Sequence, residues 1–121
     1  MSYNIDTFKV KELKYFIIPV DSIYKSDRKD WYFERINQDD GTVLFENIET
    51  SIKGIVKDNL FHVSEIDCSG EGSGFIMNEI LIPAFKDSKG YLEAICIWEG
   101  GDSITRLIVN DGIVKEKNIE L

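Results

Sequence analysis

The sequence predicts an α+β domain: a curved, mainly antiparallel sheet with one principal amphipathic helix, about 47–60, packed on one face. Three observations carry that expectation. Apolar residues recur at helical spacing in one window, they alternate or run continuously in several short windows, and turn-forming clusters separate the windows. The chain has 121 residues, 43% hydrophobic and 12% aromatic, with two prolines. A domain of this length buries roughly two thirds of its unfolded surface, so one core suffices without staples. No repeat, low-complexity tract or linker divides the chain, and 1–121 reads as a single domain.

Leu13 to Val20 is an apolar run rich in isoleucine and aromatics. It reads as a buried strand that ends near Pro19, because proline cannot donate to a ladder. Residues 21–30 are polar and read as a turn of helix followed by a loop. Trp31 to Ile36 reads as a strand, with Trp31, Phe33 and Arg35 on one face and Tyr32, Glu34 and Ile36 on the other. Asn37 to Gly41 is a turn by its chemistry, and Thr42 to Glu46 is the returning strand of a hairpin.

The helix is expected next. Ile48, Ile52, Ile55, Val56 and Leu60 form one apolar stripe at a period of 3.6 residues. Asn47 can cap the first turn, and Glu49 can pair with Lys53 on the wet face. Gly54 weakens the helix by about 1 kcal/mol relative to alanine.

Beyond the helix the period returns to two. Phe61 to Asp67 reads as a strand, and a glycine loop, Ser69 to Gly74, leads into a further strand at Phe75 to Ile82. Pro83 and the cluster Lys86 to Gly90 break the chain again. Tyr91 to Trp98, Ile104 to Asn110 and Ile113 to Leu121 form a meander, with turns at Glu99 to Asp102 and at Asn110-Asp111-Gly112. Tyr91 to Trp98 is apolar on both faces, with Leu92, Ala94, Cys96 and Trp98 on one and Tyr91, Ile95 and Ile97 on the other. That predicts a central strand covered on both sides. The helix covers one face; the other requires a second layer, the N-terminal segment or a partner chain.

Charge narrows the function classes. Twenty-two acidic side chains against fourteen basic ones give a net charge of −8, and residues 31–121 carry the whole excess. Such a surface repels phosphate backbones and anionic lipid, which argues against nucleic-acid and membrane partners and favours a basic protein. The longest uncharged apolar stretch is far too short to span a bilayer, and the N-terminus shows no signal-peptide pattern. Cys68 and Cys96 lie far apart, which suits reduced, buried thiols in the cytoplasm rather than a disulfide framework.

Catalytic vocabulary is sparse. Gly70, Gly72 and Gly74 alternate as in a phosphate-binding loop, but a strand is expected behind them and Glu71 would repel an anion. A calcium-loop alignment through Asp67, Ser69, Glu71 and Gly72 ends on Asn78 instead of a bidentate glutamate. His62 has no histidine companion, and only the fold could pair it with Cys68 or Cys96. Glu65 and Asp67 share a strand face, as many solvated carboxylates do. These patterns assign no catalytic residue, metal ligand or cofactor. The run Trp31-Tyr32-Phe33 must turn at least one ring away from its neighbours, toward a second buried face or a recognition surface.

The expected function is a small acidic cytoplasmic binding protein that neutralises a basic partner. Its concrete form is an immunity protein or antitoxin that blocks a bacterial toxin, a nuclease among the candidates. The alternative is a non-enzymatic ligand-sensing domain or a phage or mobile-element accessory domain. If the strands flanking the helix run parallel, the loops at 21–30, 68–74 and 99–103 fall at one end of the sheet. Asp67, Glu71, Trp98, Glu99 and Asp102 are then the expected partner-binding residues.

Overall fold

The computed structural model describes residues 4–24, 33–47, 50–100 and 103–119. Strand β1 (Ile5–Pro19) leads into one turn of helix, α1 (Val20–Ile23). Four strands follow: β2 (Glu34–Asn37), β3 (Val43–Asn47), β4 (Thr50–Lys57) and β5 (Leu60–Cys68). A helix, α2, spans residues 73–85 and precedes β6 (Lys89–Trp98), β7 (Ile104–Asn110) and β8 (Ile113–Ile119). The strands form one antiparallel sheet in the order β2-β3-β4-β5-β1-β6-β7-β8. The architecture is therefore mainly β, with a single substantial helix among the described residues, and agrees with the expected class at that level.

β1 is the hub and begins well before the expected Leu13. Its inward apolar residues are Ile5, Phe8, Val10, Leu13, Phe16 and Ile18, at spacings of three, two, three, three and two. A flat strand would turn two of these, Ile5 and Leu13, to the other face. Register shifts at Ile5/Thr7, Val10/Glu12 and Lys14/Ile17 absorb the extra residues and return each side chain to the core. At the third shift Tyr15 takes a left-handed conformation, φ 49°, with its ring in solvent. Its carbonyl lies where a Cβ on Gly90 would be, 2.0 Å away, so only glycine fits opposite this bulge.

The helix expected at 47–60 is not there. Asn47 ends β3, Thr50–Lys57 is β4, Asp58 and Asn59 make a two-residue turn, and Leu60 opens β5. Ile48 and Glu49, and with Glu49 its expected pairing to Lys53, lie outside the described residues. A spacing of four, as between Ile52 and Val56, satisfies a helix and a strand equally. Three features decide for the strand. Thr50, Ile52, Ile55 and Val56 are β-branched and favour extended backbone. Asp58 and Asn59 hold φ values of 52° and 63°, the signature of a type I′ hairpin turn. Gly54 is pressed against β5, where an added Cβ would lie 2.0 Å from the His62 carbonyl oxygen.

The helix forms instead where a strand was expected, at Phe75 to Ile82. Ile76, Met77, Ile80, Leu81, Ala84 and Phe85 make a buried stripe of adjacent pairs four residues apart. Pro83, which suggested a break, is accommodated by a local change of pitch: the α-helical turn Ser73–Ile76 widens to a π-helical turn at Met77–Leu81 before Ile82–Phe85 resumes. A proline cannot donate to the carbonyl four residues back and its ring crowds that position. The wider turn just before it relieves the conflict.

α2 and α1 cover the same face of the sheet. Phe16 and Phe85 meet edge to face at 5.4 Å between ring centres, and Phe45 and Phe61 do so at 4.8 Å. Leu92, Ala94 and Cys96 of β6 and Leu107 and Val109 of β7 complete this core. Among the described residues no helix is long and apolar enough to cross a membrane.

Gly54→Ala distinguishes the two readings of 50–57 by sign. In an exposed helix it would stabilise the protein by about 1 kcal/mol. Against the His62 carbonyl it should destabilise by about 2 kcal/mol, because the backbone of β4 or β5 must move. Equilibrium urea unfolding of the variant and parent measures the difference.

Candidate functional site

β5 and β6 both end where β1 begins. β1 runs antiparallel to each of them, so β5 and β6 point the same way, joined by α2. The loop after β5 and the turn after β6 therefore share one end of the sheet. The first described residues of the chain lock them there. The Gly70 amide donates to the Ile5 carbonyl at 2.8 Å, and the Gly72 amide donates to the Asn4 side-chain oxygen at 2.9 Å. The Glu99 amide donates to the Asn4 carbonyl at 2.9 Å. The Ile5 amide donates to the fully buried Ser73 hydroxyl at 2.6 Å, and that hydroxyl donates to the Gly70 carbonyl at 2.6 Å. Asn4 and Ser73 thus anchor this end, and no local sequence pattern singles them out.

Asp67 lies exposed on the last turn of the β5 pleat, and its carboxylate accepts from the Ser69 hydroxyl at 3.4 Å. Glu71 is exposed in the loop and Glu99 is exposed at the β6–β7 turn. These expected residues do come together at one end. Asp102 lies outside the described residues. Trp98 is at this end but packs against the core, with its indole N–H donating to the Thr105 hydroxyl at 3.0 Å. Its half-buried ring borders the acidic loops rather than projecting from them.

The described start of the third expected loop, Asp21 to Tyr24, is elsewhere. Val20, which follows β1, donates its amide to the Asn59 carbonyl at the opposite end of the sheet. α1 is therefore remote from Glu71 and Glu99, while residues 25–30 lie outside the described residues. The grouping at 68–74 and 99–100 arises because β1 separates β5 from β6, not because a helix at 47–60 joins parallel strands.

The glycine loop precedes a helix, contrary to the strand expected there, so a helix N-terminus does stand behind it as in a phosphate cradle. The amides answer the question instead. Those of Gly70, Gly72, Ser73 and Phe75 donate within the protein. An anion would have to displace these bonds beside Glu71. Among the described residues no group of three His, Cys, Asp or Glu could hold a metal ion.

His62 and the cysteines lie on opposite faces of the sheet. Along β5, Phe61, Val63, Ile66 and Cys68 point into the core, and His62 pairs with Ile17 and Ile55 on the other face. Cys68 and Cys96 are free and buried. The Cys68 thiol donates to the Ser73 carbonyl at 3.4 Å and accepts from the Thr50 hydroxyl at 3.5 Å. Burial pushes the Cys96 thiol up to about 12, with smaller contributions from Cys68 and Glu116. A thiol so disfavoured as thiolate is a packing group, not a nucleophile.

Ser73→Ala should destabilise the protein by about 1–3 kcal/mol, since it strands the buried Ile5 amide. Denaturant unfolding gives the cost, and faster amide exchange at Gly70 and Gly72 would locate it. Stability should also fall as pH rises from about 9 toward about 12, because the unfolded chain releases the Cys96 proton that the folded chain retains. In Cys96→Ala that alkaline loss should be smaller than in the parent, measured as melting temperature across the same range.

Comparison of the chain with protein-family models, with curated proteins and with solved structures found no match to any of them.

Proposed function

We propose that the chain is a small acidic binding protein that neutralises a basic partner protein. Its most concrete form is an immunity protein or antitoxin that blocks a bacterial toxin in the cytoplasm, where free thiols stay reduced. The observation that carries this reading is the placement of Asp67, Glu71 and Glu99 at one end of the sheet, on segments tied to β1 by backbone and side-chain bonds. A nuclease presents a cationic surface shaped for phosphate, and carboxylates held in place can occupy it. Loops already ordered by Asn4 and Ser73 lose little further entropy on binding, which favours tight association. A net charge of −8 adds long-range steering toward a cationic partner. The reading assigns the chain no catalytic role.

The test combines the chain with the product of a neighbouring gene, where that gene encodes a cationic toxin domain, and follows inhibition of plasmid or RNA cleavage. Reversal of Asp67, Glu71 and Glu99 together to lysine should slow association by at least about tenfold and flatten its dependence on salt. These side chains lie on the surface, so the melting temperature should change little. Undiminished inhibition by the triple variant would remove this end of the sheet from the interface. Failure of the parent to inhibit would remove the toxin-blocking function itself.

A further inference from the structure

β1 and β5 are neighbours in the sheet, yet most of the ladder between them is missing. Among the described residues they pair at Ile17–His62, Ile18–Phe61 and Pro19–Leu60, and again at one isolated bridge, Ile5–Gly70. Between those points eleven residues of β1 (6–16) face seven (63–69) on the other side. A ladder advances by one residue on each strand, so the surplus on β1 leaves the span unpaired. Against β6 the surplus is taken up at three separate register shifts, and that ladder survives. Side-chain packing closes the β1–β5 span instead. Phe8, Val10 and Leu13 of β1 and Val63 and Ile66 of β5 belong to the core or pack against it. Phe8, Val63 and Ile66, at 8%, 8% and 6%, are the most exposed of the buried apolar side chains among the described residues. On either side of the seam the pairing is complete. β5 is paired with β4 from Leu60 to Cys68, and β1, β6, β7 and β8 form a continuous set of ladders.

We propose that the seam between β1 and β5 is a gate that opens at its loop end, with Asn4 and Ser73 as the latch. The latch consists of the bonds that Asn4 and Ile5 make to Gly70, Gly72 and Ser73. Asn4 is tied to the β6 side, because the Glu99 amide donates to its carbonyl. The pairs from Ile17–His62 to Pro19–Leu60 are the hinge. Opening breaks the latch and part of the packing beneath the seam, and it spares the ladders on both sides. Global unfolding breaks every ladder, so the open state lies between the native and unfolded states in free energy. Asp67 and Glu71 travel with β5, whereas Glu99 travels with β6. The acidic end is therefore assembled only while the gate is shut. The gate follows from strand register and does not depend on the toxin-blocking reading.

The two buried thiols report on the gate, one from each side of the seam. Cys68 ends β5 and donates to the Ser73 carbonyl, so release of the latch uncovers it. Cys96 sits on β6 opposite Phe8, within the ladders that stay closed. The test treats the purified chain alone with an aromatic disulfide reagent under native conditions and follows each thiol by peptide mass spectrometry. Cys68 should react at least about a hundredfold faster than Cys96, at a rate that changes little in urea below the unfolding transition. Cys96 should react only through global unfolding, at a rate that climbs steeply over the same range. Ser73→Ala should speed labelling of Cys68 by about tenfold, because the latch loses a buried hydrogen bond. Equal rates at the two thiols, both climbing with urea, overturn the proposal, since the loop end would then open only with the whole domain. Faster labelling of Cys96 overturns it as well. A Cys68 rate unchanged by Ser73→Ala does the same, because the latch would then hold nothing shut.

Discussion

The fold depends on β1 lying between β5 and β6. Fifteen residues long, it bonds both neighbours and, among the described residues, is the only strand that joins the β2–β5 half of the sheet to the β6–β8 half. Because it runs opposite to each, β5 and β6 are forced to point the same way. The chain between them must then return across the full height of the sheet. A strand could not make that return without leaving its backbone unpaired over the core, whereas a helix satisfies its own backbone. α2 is the result, and it supplies the layer that buries the inner face. The bulges in β1 are the cost of this central position, since they keep Ile5 and Leu13 on the same face as Phe8, Val10, Phe16 and Ile18.

The same constraint builds the acidic end. Two loops that are distant in sequence finish beside the start of β1, where Asn4 and Ser73 serve both structure and presentation. Ser73 is buried at the start of α2, so the helix that covers the core also fixes the loop that carries Glu71. Core packing and display of the carboxylates are therefore one arrangement. The two faces of the sheet divide the chemistry in the same way. Thiols and the phenylalanine rings of the strands point inward, while His62, the outward isoleucines and most of the strand charges point out. No strand residue can serve both sides, and that separates His62 from Cys68 more firmly than distance does.

Much of the sheet was legible in the sequence. The period-two runs, the Asn-Asp-Gly turn and the two-sided apolar character of Tyr91 to Trp98 correspond to β5, β6, β7 and β8. The clustering of Asp67, Glu71 and Glu99 was also anticipated, although by a route through a helix that does not exist. The missed signals were local but ambiguous. Asp58-Asn59 between two β-branched runs is hairpin chemistry, and it was outweighed by isoleucines whose spacing of four suits either period. Ile76, Met77, Ile80, Leu81, Ala84 and Phe85 keep a helical stripe that Pro83 disguised, because a sequence pattern does not reveal that a π turn will absorb the proline.

The sequence by itself determined the class of fold, the acidic surface and the absence of an obvious catalytic motif, because composition and side-chain alternation act over a few residues at a time. Tertiary structure alone decided which apolar segment became the helix, since Gly54 had to clear the His62 carbonyl of a neighbouring strand and 73–85 had to cross a sheet already closed by β1. It alone decided that Asn4 and Ser73 hold the acidic end, because their hydrogen bonds join residues 68 positions apart in the chain. Contacts of that separation leave no period in the sequence; they exist only once strand order is set.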